Sequence, residues 1–227
     1  MEKYAVIVAG GQGSRMHSEI PKQFIEVAGK PLLMHTLEAF FAYDSKLPIL
    51  LVLPMHEQAR WQHLCEQYTF QVPHKIVIGG SCRPESVYNG VQKISEKKCL
   101  VAVHDGVRPL ISKQMIESSF RIAMQHGSAI AAVPLKDSIR KITEQGSVSR
   151  NRAEYRLMQT PQTFQLSWLR DAYSKVEQLD DFSDEASLVE AAGRQVTLME
   201  GSYQNIKVTT PEDLWVAEAF LKQKASK

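Results

Sequence analysis

The sequence predicts an α/β fold: a doubly wound, mainly parallel, Rossmann-like sheet with helices on both faces and a projecting β-arm. Three observations predict it. Short apolar runs alternate with helix-length amphipathic stretches over the first two thirds of the chain, the pattern of βαβ units whose strands are buried on both faces. The first run, Tyr-Ala-Val-Ile-Val at 4–8, feeds directly into the glycine-rich turn Ala9-Gly10-Gly11-Gln12-Gly13. Between about 136 and 158 the alternation stops, and a polar stretch punctuated by turn residues takes its place.

The elements follow in order. After the glycine turn, residues 31–43 place Leu33, Leu37, Phe40 and Phe41 on one helical face. Residues 49–53 are a second strand set between Pro48 and Pro54. Residues 57–68 read as a helix, and 75–78 as a short third strand ending at Gly79-Gly80. Pro84 marks the first turn of the next helix, which Val87, Val91 and Ile94 continue at helical spacing. Residues 99–103 form the fourth strand and deliver His104-Asp105-Gly106-Val107-Arg108-Pro109 at its carboxyl end, before a helix over 113–125 and a fifth strand over 129–133. Ligands of such sheets bind beyond the carboxyl ends of the strands. The glycine turn, Gly79-Gly80 and residues 105–108 should therefore meet on one rim.

From 134 to 164 the pattern changes. Residues 136–142 alternate polar and apolar, and Glu144-Gln145-Gly146-Ser147 supplies a turn, so a two-stranded excursion outside the core is expected. A hairpin of that kind is marginal alone and packs on another surface, often a second subunit. Beyond it come a helix over 167–178, a helix capped near Asp184, a strand over 195–199, a last strand-like piece over 205–209, and a closing helix opened by Pro211-Glu212-Asp213.

Composition excludes several classes. A net charge of +2 over 227 residues is too small to mark a nucleic-acid binder, and no nucleic-acid partner is expected. Cys65, Cys82 and Cys99 are dispersed and odd in number, which suits neither a zinc site nor a disulfide framework. No apolar run approaches the roughly 20 residues of a membrane helix. The chain runs directly into its first strand, and no signal peptide is expected. A soluble, cytoplasmic, single-domain protein with no membrane partner is the expectation.

A strand that feeds a glycine-rich turn presents backbone N–H groups able to cradle phosphate oxygens, and Arg15 and Lys22 place two cations beside that cradle. Taken alone, the turn serves equally to let a helix pack closely, and each cation reads as a solvated surface charge. Met16 stands where a dinucleotide fingerprint needs Gly or Ala, and the second strand ends in Leu53-Pro54-Met55 with no acid for a ribose hydroxyl, which disfavours a dehydrogenase. Gly29-Lys30-Pro31 is no Walker A motif, and a Gly-x-Ser-x-Gly elbow is absent from the sequence. Asp184-Glu185 is either a metal pair or a helix N-cap. His35, His56, His63, His74 and His126 have no partners at ligand spacing and read as structural or solvated. No metal-ligating residue is assigned.

The segment from Ala9 to Met16, with Pro21-Lys22-Gln23-Phe24, resembles the signature of nucleotidyltransferases that join a nucleoside triphosphate to a phosphorylated sugar or polyol. Residues 104–109, Gln159-Thr160-Pro161-Gln162-Thr163-Phe164 and residues 205–213 narrow the resemblance to the 2-C-methyl-D-erythritol 4-phosphate cytidylyltransferases of non-mevalonate isoprenoid synthesis, over about 4 to 220. The resemblance implies one nucleotidyltransferase domain over 1–227, with a dimerisation arm at about 136–158. It implies joining of CTP to methylerythritol phosphate with release of pyrophosphate. The backbone around Ala9, Gly10, Gly11, Gly13 and Gly80 would hold CTP, and Ser86 would read the cytosine. Arg15 and Lys22 would stabilise charge developing at the α-phosphorus, with Lys207 counted beside them as catalytic. Asp105, Arg108 and Lys207 would position the acceptor, and Ser138 and Arg152 would reach its phosphate from the arm of the partner in a homodimer. Mg²⁺ would bridge the phosphates.

Each role has a plainer counterpart. Asp105 also suits a turn cap, Lys207 an exposed edge charge, Ser86 the first turn of its helix and Ser138 a solvated arm. Arg150 and Arg156 flank Arg152 as equal candidates. Gly106 stands where the family usually has Ala, expected only to loosen the loop, and Ser138 where Thr is usual. Competing readings are a ribitol 5-phosphate cytidylyltransferase, a sugar-1-phosphate nucleotidyltransferase using another base, and a catalytically inactive nucleotide sensor on the same fold. Retention of Arg15, Lys22, Asp105, Arg108 and Lys207 together speaks against the sensor.

Overall fold

Residues 5–8, 49–53 and 99–105 are buried along their whole length, which explains why they are apolar on both faces rather than alternating. In the computed structural model, which describes residues 1–11, 16 and 20–225, they form the middle of a seven-stranded sheet. Gly13 and Arg15 lie outside the described residues. The elements in chain order are β1 (Glu2–Val8), β2 (Glu26–Val27), β3 (Lys30–Pro31), α1 (Leu32–Tyr43), β4 (Ile49–Leu53), α2 (Gln58–Gln67), β5 (Lys75–Ile78), α3 (Arg83–Gln92) and β6 (Cys99–Asp105). They continue with α4 (Lys113–His126), β7 (Ser128–Pro134), β8 (Ile139–Thr143), β9 (Gly146–Arg150), β10 (Arg156–Gln165), α5 (Leu166–Lys175), α6 (Glu185–Ala191), β11 (Leu198–Glu200) and α7 (Pro211–Ala225).

The sheet order is β11-β7-β10-β6-β1-β4-β5. β1 pairs parallel with β4 and β6, β4 with β5, and β7 with β11. Only β10 runs antiparallel, between β6 and β7. The mainly parallel, doubly wound sheet predicted from the alternation is therefore the observed one. The period of two along the strands sorts the core into two halves. Ala5, Ile7, Leu51 and Leu53 face Leu37 and Phe40 of α1, Trp61 of α2 and Phe120 of α4. Val6, Val8, Leu50 and Val52 face Val87 of α3, Leu169 of α5 and Val189 of α6. Gly90 is what lets α3 lie so close: a Cβ there would stand 2.7 Å from Val6 Cγ1, so any side chain must push the helix off the sheet.

Several boundaries differ from expectation. Phe41 is turned outward while Leu33, Leu37 and Phe40 are fully buried, because α1 presents a narrower stripe than its composition suggests. Ile94 is buried just beyond the end of α3 rather than within it. The strand expected at 195–199 is the three-residue β11, and residues 205–209 are irregular rather than a strand. The largest correction concerns 134–164. The hairpin β8–β9 exists, pairing Ile139 with Arg150 and Thr143 with Gly146, but Gln159–Phe164 belong to the core and fill the gap between β6 and β7. Their polar side chains are satisfied inside the protein: Thr163 Oγ1 meets Ser119 Oγ at 3.0 Å, and Gln162 Nε2 donates to Asp184 Oδ2 at 2.8 Å. A buried strand with internal partners for its polar groups carries no hydrophobic signature. Among the described residues, no helix is long and apolar enough to cross a membrane.

Candidate active site

Strand register brings the functional segments to one level. Val8 sits opposite Asp105, Gly106 N donates to Val8 O at 2.8 Å, Ala9 N to Val52 O at 3.0 Å and Gly79 N to Leu53 O at 2.8 Å. The carboxyl edge of the sheet thus opens on a cleft of about 830 Å³, and Ala9, Gly10, Gly11, Lys22, Gly80, Ser86, Asp105 and Lys207 all line it. The three segments expected to converge do so. Gly13 and Arg15, expected beside them, fall outside the described residues.

One wall is backbone. Gly10 lies against the Pro54 ring and Ser86. Gly80 N donates to Ser86 Oγ at 3.0 Å, and Ser86 Oγ donates to Cys82 O at 2.9 Å. Ser86 thereby ties the glycine turn to the first turn of α3, and its hydroxyl proton is directed at the backbone. Lys22 opens a single 3₁₀ turn, Lys22–Phe24, which Phe24 anchors by stacking on Trp61 with ring centroids 6.1 Å apart. That anchor sets the lysine beside Gly11: a Cβ built on Gly11 would lie 3.6 Å from Lys22 Cε and 4.0 Å from Nζ.

The other wall is a buried ion cluster at the end of β6. Asp105 Oδ1 meets Arg83 Nε at 3.2 Å, and Oδ2 meets Lys207 Nζ at 3.0 Å and Arg108 Nε at 3.4 Å. Burial alone pushes its carboxyl upward, but Arg83, Lys207 and Arg108 outweigh that and hold it well below the usual carboxylate range. Arg83 NH1 also reaches Glu185 Oε1 at 2.9 Å and Oε2 at 3.1 Å. Glu185 is fully buried; burial raises its carboxyl, and Arg83 opposes the rise. Three cations against two carboxylates leave positive charge facing the cleft.

Behind Asp105 stands a second network. Asp105 N donates to Thr160 Oγ1 at 3.1 Å, and Thr160 Oγ1 meets His104 Nδ1 at 3.0 Å. Because the Arg108 carbonyl, 3.2 Å from Nε2, can only accept, the proton of neutral His104 sits on Nε2 and Nδ1 accepts from the Thr160 hydroxyl. Burial lowers the His104 pKa to about 3, so the ring is a neutral linker. Arg108 NH1 donates to Asn205 O at 2.8 Å, and Asn205 Nδ2 to Thr160 O at 2.8 Å. The motifs at 104–109, 159–164 and 205–213 are thus one unit in space.

Some expected residues sit elsewhere. Arg108 is buried behind Asp105 and does not line the cleft. Ser138 and Arg152 are exposed on the arm; Arg152 donates to the Lys136 carbonyl and neither residue lines the cleft. Lys207 is no edge-strand charge, since it leaves an irregular segment to pair with Asp105. Asp184 accepts from Ser187 N at 3.0 Å and caps α6, while Glu185 serves Arg83, so the pair is a cap and a buried ion pair rather than two metal ligands. Gly106 does not loosen its loop. Its carbonyl accepts from Thr36 Oγ1 at 2.8 Å, and a Cβ there would stand 2.8 Å from Leu33 Cδ1 and 3.0 Å from Ala9 Cβ. Arg83 is the site residue that sequence reasoning misses. Its signal is an arginine three residues past Gly79-Gly80, at the start of a helix facing the rim.

A glycine turn and a lysine facing a cationic cluster across one cleft suit a nucleotidyltransferase, an enzyme that holds a nucleoside triphosphate and brings a second anion to it. Comparison with known proteins narrows that class. The family model described as 2-C-methyl-D-erythritol 4-phosphate cytidylyltransferase (IspD) matches residues 4–223. A relative of that name from Phocaeicola vulgatus is 46% identical over 97% of this chain and 100% of its own, and one from Bacteroides thetaiotaomicron is 47% identical with the same coverage. The crystal structure of the cytidylyltransferase of that name from Thermus thermophilus superposes with a TM-score of 0.79 at 30% identity, over 98% of this chain and 100% of that one. The chain belongs to the 2-C-methyl-D-erythritol 4-phosphate cytidylyltransferase family.

Proposed function

We propose that this protein transfers the cytidylyl group of CTP to 2-C-methyl-D-erythritol 4-phosphate, giving 4-diphosphocytidyl-2-C-methyl-D-erythritol and pyrophosphate for non-mevalonate isoprenoid synthesis in the cytoplasm. The observation that carries the reading is the two-walled cleft, with Lys22 beside the Gly10-Gly11 turn and Asp105 held among Arg83, Arg108 and Lys207. A phosphate oxygen of the acceptor attacks the α-phosphorus, and the bond to the bridging β-phosphate oxygen breaks. The attacking oxygen is already anionic, so the protein's task is alignment and charge neutralisation rather than proton abstraction. Backbone at Ala9, Gly10, Gly11, Gly13 and Gly80 holds the nucleotide against Ser86. Lys22 and Arg15 stabilise the charge that grows on the α-phosphate and leaving group. Lys207 and Asp105 orient the acceptor, and Arg108 holds Asp105 from behind.

Mg²⁺ suits this cleft as the companion of the triphosphate. Glu57 and Asp105 are the carboxylates that line it among the described residues, and both Asp105 oxygens already serve cations. The ion would be held chiefly by phosphate oxygens and water, as Mg²⁺ commonly is, and when bound it neutralises charge between the phosphates.

Residues 1–227 act as one nucleotidyltransferase domain, and the arm at about 136–158 pairs two copies into a homodimer. Ile142 is 78% exposed and Val148 48% exposed on the hairpin, which supports a partner covering them. In that dimer Arg152 and Ser138 reach the acceptor phosphate of the other subunit. Pyrophosphate release from CTP, measured with methylerythritol phosphate and with ribitol 5-phosphate, tests the reaction. Release with the first acceptor is expected; preference for ribitol 5-phosphate, or no release with either, overturns it.

A further inference from the structure

Arg83 occupies an unusual position between the two walls. It is the first residue of α3, three residues after Gly80 and three before Ser86, so it is rigidly joined to the nucleotide wall. Its guanidinium crosses to the other wall and meets Asp105 Oδ1 at 3.2 Å. A third element, α6, supplies Glu185, whose two oxygens take NH1 at 2.9 and 3.1 Å. The backbone on either side is also held. Tyr173 of α5 donates its hydroxyl to Pro84 O at 3.0 Å, and α6 is fixed to β10 by Gln162, which accepts from Ala186 N at 3.0 Å and donates to Asp184. The Arg83–Glu185 contact is therefore made between elements that are each tied to the fold by hydrogen bonds of their own, which is the condition for one side chain to fix another's rotamer.

Asp105 needs such an anchor. Lys207 and Arg108 both pull on Oδ2, and either could rotate the carboxylate out of plane with the cleft. Arg83 is the partner of the opposite oxygen, and its fork, unlike an ammonium, can serve Asp105 through Nε and Glu185 through NH1 at once. Glu185 has no exposure and lies outside the cleft lining, so it acts only through Arg83. We infer that Arg83 and Glu185 are a positioning pair for the transfer reaction, a strut that locks the Asp105 carboxylate to the nucleotide wall so that acceptor and nucleotide are held at one fixed separation.

The inference rests on the proposed reaction, and a double-mutant cycle separates the two. Steady-state constants for both substrates are measured for Glu185→Gln, Arg83→Lys, Asp105→Asn and the pairwise combinations with Asp105→Asn. In the wild-type background, each strut variant should raise the KM for methylerythritol phosphate about tenfold and leave the KM for CTP within about threefold, since Asp105 serves the acceptor. In the Asp105→Asn background the same substitutions should change kcat/KM less than about twofold, because the group they position is gone. Equal losses in both backgrounds, or parallel increases in both KM values, overturn the strut and leave a merely structural ion pair. Arg83→Lys keeps the charge and the fold-side packing, so the cycle stands even if Glu185→Gln does not fold. Wild-type protein that releases no pyrophosphate overturns the reaction itself.

Discussion

In the proposed reaction the two walls of the cleft have the same task, holding anions, and opposite materials for it. In that reading the nucleotide wall is largely backbone, at Gly10, Gly11 and Gly80, and Ser86 pins the turn by accepting the Gly80 amide. The acceptor wall uses side chains, a charged cluster centred on Asp105 and backed by His104, Thr160 and Asn205. Each material brings its own vulnerability. Backbone donors do not titrate and fail only when a Cβ or a lost cation spoils their geometry. A buried ion cluster depends on every member, because removing one leaves its partners unpaired in low dielectric.

Four perturbations probe this contrast between backbone and side-chain walls. The largest effect is expected from Lys22→Ala, which deletes the cation that the backbone wall cannot supply; kcat should fall ~10²-fold or more, the scale of one lost charge-stabilising group. A kcat within about threefold of wild type in a steady-state assay excludes that role.

Acid should act on the side-chain wall next. Burial holds His104 at about 3, against an ordinary 6.5. The unfolded chain therefore takes up the proton first, so stability is complete above pH 6.5 and is lost as pH falls from 6.5 towards 3. At pH 5 the loss from this group is about 2 kcal/mol relative to pH 8. His35 and His74, also lowered by burial, act in the same direction, and Asp105, depressed in the folded state, adds its share only below its ordinary 3.8. Urea midpoints at pH 8 and pH 5 read this directly, and equal midpoints would contradict it.

A Cβ at the seam of the two walls ranks third. Gly106→Ala meets Leu33 and Ala9 and should lower stability by about 1–3 kcal/mol, the usual cost of overpacking. Thermal unfolding checks it; an unchanged or raised midpoint means that α1 yields to the methyl. The smallest effect on folding is expected on the arm. Ile142→Asp, at a 78% exposed position, should change subunit stability by less than about 0.5 kcal/mol yet convert the proposed dimer to monomer by light scattering. A variant that remains dimeric removes this contact from the interface.

The same contrast governs how much is legible along the chain. The nucleotide wall is local: strand, glycine turn, Pro21-Lys22 and Gly79-Gly80 are contiguous signals, and β4 and β5 coincide with the apolar runs at 49–53 and 75–78. The acceptor wall is assembled from residues 83, 105, 108, 160, 185, 205 and 207, which no window contains. Asp105, Arg108 and Lys207 stand out through their motifs, whereas Arg83 and Glu185 each have an ordinary local explanation, helix start and helix cap. β10 escapes notice for a related reason, because its Gln and Thr residues find their partners on α4, on α6 and in the segment near 202.

Short-range periodicity and turn chemistry are enough to specify the alternating α/β architecture, the rim on which ligands bind and the glycine-lysine half of the site. All three can be read from consecutive residues. Three further features arise only when the chain is packed: β10 closes the sheet, Gly106 sits where two layers touch, and Arg83 and Glu185 join Asp105. They depend on which polar groups meet once the strands are in register. Buried polar groups are stabilised by partners distant in the chain rather than by any pattern along it.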